Sequence, residues 1–60
     1  MKITELKIGD RVKDKTTQWE LTVVGIWGDP ETPDKGTVYL DFEENEADVW
    51  EVDVKDIDWA

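Results

Sequence analysis

The chain contains no cysteine and no histidine. Those two absences exclude a disulfide framework, a Cys/His zinc site and any Ser-His or Cys-His nucleophile pair. Long apolar runs are missing as well. The longest is Val23-Val24-Gly25-Ile26-Trp27, too short for a membrane helix of roughly 20 residues or for the apolar region of a secretory leader. With neither thiols nor a leader, a cytoplasmic location is expected. Cations are scarce: 7 Lys and Arg stand against 16 Asp and Glu, a formal charge of −9. At 60 residues the chain holds one domain at most, spanning 1–60.

Aromatic residues are what the sequence does have. Four Trp, one Tyr and one Phe are spread over its length. A domain this small buries only about 60% of its unfolded surface, so its stability rests on a few large side chains.

No segment places apolar residues at i, i+3, i+4 and i+7 over three turns. Alternation with period two recurs instead and predicts four main strands. The first is Leu6 to Lys13, with Leu6 and Ile8 on one face, a bulge or turn at Gly9-Asp10, and Val12 inward; Ile3 is a further core candidate. Residues 14–18 form a polar loop. The second strand is Trp19 to Trp27, in which Trp19, Leu21 and Val23 point inward until Val24-Gly25-Ile26 breaks the alternation at a bend. Residues 28–36 make the longest loop and hold both prolines, with Pro33 to Gly36 as a turn closed by a left-handed glycine. The third strand is Thr37 to Phe42, with Val38, Leu40 and Phe42 in and Thr37, Tyr39 and Asp41 out. An acidic hairpin follows, with Asn45 as its left-handed residue. The fourth strand is Val49 to Val54, with Trp50, Val52 and Val54 on one face. Lys55 to Asp58 fits a 3-10 turn that drops Ile57 into the core, and Trp59 lies on a short last strand. The expected core is Leu6, Ile8, Val12, Leu21, Val23, Ile26, Val38, Leu40, Phe42, Val52 and Ile57. Trp19 and Trp50 are in phase with it.

The segment Leu6-Lys7-Ile8-Gly9-Asp10-Arg11-Val12 resembles the opening of SH3-like barrels of the KOW and Tudor-like kind. Val24-Gly25-Ile26 is similar to the apolar-Gly-apolar end of their next strand, and Lys55 to Asp58 to their last 3-10 turn. The resemblance covers most of the chain. It implies an all-β fold: a small antiparallel barrel of about five short strands, closed so that no sheet edge is left uncovered. It implies little about function, because this architecture hosts many roles. The chain departs from RNA-binding KOW-type domains, which are usually basic, and it offers no assignable aromatic cage of the Tudor type. In style it also resembles small acidic proteins of bacterial and phage genomes.

Charge is unevenly placed. Residues 1–28 carry 5 cations and 4 anions, whereas residues 29–60 carry 2 cations and 12 anions. The acidic half either keeps the surface solvated or meets a basic partner. The run from Asp41 to Asp48 fails the calcium-loop pattern, with Glu46 where Gly is needed and Val52 where Glu is needed. Paired carboxylates for glycoside hydrolysis need a cleft with one acid kept protonated, and Glu51 and Asp53 are expected on the outer face. Gly9, Gly25, Gly28 and Gly36 are isolated and form no phosphate loop. No enzymatic activity, cofactor or metal is therefore expected.

Trp27 and Tyr39 flank the long loop, and Tyr39 is out of phase with Val38 and Leu40. They either cap the open end of the barrel or offer an aromatic face for a peptide or cation. The leading expectation is a non-enzymatic module that binds a protein, with Trp27, Asp29, Tyr39, Asp41, Glu43, Glu44 and Glu46 as partner-binding residues. The alternative is an acidic decoy that mimics nucleic acid toward a basic nucleic-acid-binding protein. A third reading is a nucleic-acid-binding barrel using Lys7, Arg11, Lys13 and Lys15. Those cations are diluted by Glu5, Asp10 and Asp14, so no direct nucleic-acid partner is expected, nor a membrane partner.

Overall fold

The computed structural model describes residues 1–41 and 49–60. A 3-10 turn, Ile3–Glu5, precedes strands β1 (Arg11–Asp14), β2 (Glu20–Trp27), β3 (Thr37–Asp41) and β4 (Val49–Asp53). A second 3-10 turn, Val54–Asp56, leads directly into β5 (Ile57–Trp59). All five strands form one antiparallel sheet in the order β4-β3-β2-β1-β5. The chain is all-β, as its alternation predicts.

The sheet is rolled. Laid flat, β4 and β5 would stand four strand spacings apart, about 19 Å. The link from Asp53 to Ile57 spans at most about 14 Å even when fully extended. The bend is made in β2, where the register against β3 shifts between Val23 and Gly25. An extra residue on one strand bends it and raises its twist.

The roll does not close. Among the described residues β4 pairs only with β3 and β5 only with β1. The expected closed barrel is thereby corrected to an open, curled sheet compatible with an SH3-like arrangement. Its geometry explains why: successive antiparallel pairings leave β4 and β5 running the same way. Pairing two parallel strands needs a crossover of about a dozen residues, and the three-residue turn Val54–Asp56 cannot supply one.

Ile3, Leu6, Val12, Leu21, Val23, Val38, Leu40, Val54 and Ile57 form the buried core. Met1, Ile26, Trp50 and Val52 pack against it, partly buried. Ile26 and Val52 are therefore at the margin of the core and not at its centre. Phe42, Asn45 and the predicted acidic hairpin lie outside the described residues.

Ile8 is the clear reversal: it is 65% exposed. The predicted first strand begins five residues later than its alternation suggested, because Lys7 to Asp10 is a closed turn. The Asp10 N–H donates to the Lys7 carbonyl at 3.1 Å, and Asp10 Oδ2 accepts from the Lys7 N–H at 2.9 Å. Gly9 takes φ of 97°, which L side chains rarely adopt. Ile8 thus sits on the turn and points to solvent. Trp19 is also corrected. It keeps the inward phase of Leu21 and tilts against Trp50, ring centroids 5.3 Å apart, but it stays 46% exposed.

Two carboxylates are buried. Asp14 ends β1 and is 6% exposed. Its Oδ2 accepts from the Thr17 hydroxyl at 2.8 Å and the Thr17 N–H at 3.2 Å, and Oδ1 accepts from the Thr16 N–H at 3.4 Å. The Thr17 hydroxyl is the main reason its carboxyl is held below the ordinary aspartate range, against the opposing effect of burial. The turn is completed by the Gln18 N–H on the Asp14 carbonyl at 2.8 Å, with Gln18 left-handed at φ 65°. Asp41 is the second, at the end of β3.

Candidate interaction surface

The bulge in β2 decides which face Trp27 occupies. Leu21 and Val23 point into the roll, and unbroken alternation would send residues 25 and 27 inward after them. The extra residue at Val24 inverts the phase, so that Ile26 faces the core opposite Val38 while Gly25 and Trp27 face out. Trp27 is consequently 69% exposed.

Two rows cross the outer face of β2, β3 and β4. The first is Trp27, Thr37 and Asp53; the second is Gly25, Tyr39 and Glu51. Gly25 is closely packed by its neighbour. A Cβ at that position would stand 3.0 Å from Tyr39 Cδ2, so the absent side chain lets the Tyr39 ring lie across β2. Tyr39 is half-buried by this packing, while Glu51 and Asp53 are exposed.

Next to Trp27 the loop of residues 28–36 borders a shallow, open cleft of about 560 Å³, lined by Trp27, Asp29, Pro30, Thr32 and Lys35 between two glycines. The loop is built, not draped. Asp29 Oδ1 accepts from the Glu31 N–H at 2.9 Å, and the Asp29 carbonyl accepts from the Thr32 N–H at 3.0 Å. Its turn falls on Thr32 to Lys35, the Lys35 N–H reaching the Thr32 carbonyl at 3.0 Å, one residue before the predicted Pro33 to Gly36. The Ile3 N–H ties the N-terminal 3-10 turn to the Pro33 carbonyl at 2.7 Å. At the loop's closure a Cβ on Gly36 would meet the Trp27 carbonyl at 2.7 Å and Ile3 Cγ2 at 2.8 Å. Trp27 therefore stands beside an anchored loop and is not covered by it.

The predicted partner-binding residues separate into three groups. Trp27 and Asp29 line the cleft, and Tyr39 lies one row away on the same face. Asp41 keeps the expected outward phase, in register between Thr22 and Val49 on an inner strand, but it is 2% exposed and its carboxylate is not open to a partner. Glu43, Glu44 and Glu46 lie outside the described residues. Glu51 and Asp53, read from the sequence only as solvated acids, join the surface through their register with Tyr39 and Thr37. Their outward phase was the available signal; their neighbours were set by strand pairing.

Cations are sparse on this face. The ion pair seen among the described residues, Arg11 Nη2 to Glu20 Oε2 at 3.8 Å, lies across β1 and β2. Among the described residues no group of three or more acids is placed to hold a metal ion, and no helix is long and apolar enough to cross a membrane. No family model, curated protein or solved structure matches the chain.

Proposed function

We propose that the protein is a non-enzymatic interaction module that binds a cationic segment of another protein. The observation that carries this reading is the solvent-facing Trp27 beside a preformed cleft, with Asp29, Glu51 and Asp53 around it. An exposed aromatic face attracts a Lys or Arg head by its quadrupole, and flanking carboxylates add charge attraction. Preorganisation of the loop lowers the ordering cost of binding.

Calorimetric titration with a short Lys/Arg peptide tests it. Trp27→Ala should weaken binding about tenfold, the range of a single aromatic anchor. If binding survives Trp27→Ala but disappears when the acids of residues 29–60 are neutralised, the surface acts through bulk charge, as the decoy alternative requires.

A further inference from the structure

Among the described residues β4 is an edge strand, and the bonding pattern shows which of its groups have no partner there. The Val54 N–H donates to the Gly36 carbonyl directly opposite it, at 3.0 Å. In an antiparallel ladder bonded and non-bonded pairs alternate. Val52 with Val38 and Trp50 with Leu40 are therefore the bonded pairs. The N–H and C=O groups of Val49 and Glu51, and the N–H of Asp53, point away from β3, toward the open side of the sheet; Asp53 is also the N-cap of the Val54–Asp56 turn, where its carbonyl serves the turn.

These same three residues are exposed and send their side chains to the outer face, while Trp50 and Val52 are half-buried and face the core. An exposed edge invites a further strand. A second copy is a poor occupant: antiparallel pairing centred on Glu51 would set that carboxylate opposite itself, and each chain carries −9. A cationic strand meets the opposite situation.

We infer that the free edge of β4 takes up an extended, cationic segment of a protein partner as an added strand. The inference rests on the interaction-module reading and specifies its ligand. Side chains of an added strand alternate between the two faces. On the outer face, Lys or Arg would lie opposite Asp53 and Glu51. On the inner face, apolar side chains would lie opposite Val52 and Trp50 and extend the core. An antiparallel ligand therefore reads cation-apolar-cation-apolar. Main-chain bonds supply affinity and the alternation supplies selectivity.

The test uses the full chain, isotope-labelled, with a capped (Lys-Val)4 peptide, and reads amide exchange by NMR. The peptide should slow exchange of the Glu51 and Asp53 amides about tenfold or more, as newly bonded edge groups, and leave those of Trp50 and Val52 little changed. A block peptide of the same composition, Lys4Val4, should bind at least about tenfold more weakly. Glu51→Lys should weaken (Lys-Val)4 about tenfold, the sum of a lost attraction and a new repulsion across the strands, and should favour (Glu-Val)4 instead.

Binding that shifts Trp27 and residues 28–36 without protecting Glu51 and Asp53 would overturn strand addition and leave the module reading intact. Equal binding of the alternating and block peptides would also overturn it. No binding of either peptide would overturn both. Protection of the two amides that grows with protein concentration alone would assign the edge to a second copy.

Discussion

Leu40 and Asp14 represent the two ways single residues hold this molecule together. Leu40 is fully buried on β3, an inner strand, between Val23 and Trp50. Leu40→Ala should cost about 2–5 kcal/mol, a lost side chain plus its cavity. In a domain of this size that is most of the stability, and chemical denaturation should show the cooperative transition lost or greatly shifted. Asp14 acts through hydrogen bonds from Thr17 and Thr16. Its folded carboxyl is held below its unfolded range, so its contribution is complete above the unfolded pKa of about 3.9. That contribution disappears as pH falls through the lower, folded value. Asp14→Asn should therefore lose about 1 kcal/mol near neutrality, and the gap to the parent should narrow as pH drops below about 4. Urea midpoints of both proteins along a pH series measure this. A gap that stays constant would mean that charge on Asp14 contributes nothing.

At the scale of elements, loop closure depends on positions where a side chain has no room. Gly36 has φ of 156° and would place a Cβ 2.7 Å from the Trp27 carbonyl. Gly36→Ala should destabilise by more than about 1 kcal/mol and loosen the cleft, visible as faster exchange of the Ile3 amide that bonds Pro33. Unchanged exchange there would show that the Ile3 tether holds without the glycine.

Much of the element pattern was legible in the residues. The second, third and fourth strands follow alternation closely, and the break at Val24-Gly25-Ile26 marks the bulge that turns Trp27 outward. The first strand was not legible, since Leu6-Lys7-Ile8 alternates like a strand while Asp10 closes a turn through its side chain. Burial of Asp14 and Asp41 was equally hidden, because it depends on partners and strand position and not on polarity. The surface itself was half legible. Trp27 stands out by its place before the loop, but its neighbourhood with Asp53, and the status of β4 as an edge, follow from the non-local order β4-β3-β2-β1-β5.

For the whole molecule, charge is the dominant long-range property. Twelve of the 16 acids follow residue 28, and they repel one another more in the compact state than in the expanded chain. Added NaCl should raise the melting temperature, since screening shortens from ~10 Å at ~0.1 M to ~3 Å at ~1 M. A fall in melting temperature would mean that specific ion pairs outweigh repulsion. The same charge shapes recognition. Nucleic-acid affinity comes largely from cations displacing the counterions of phosphates, and a chain at −9 opposes that encounter.

The most direct test is one salt series in which the protein is titrated with a cationic peptide and with a generic duplex DNA. Peptide binding should weaken steadily as NaCl rises, with no measurable DNA complex at physiological salt. A tight, salt-sensitive complex with bare DNA, and none with the peptide, would contradict both.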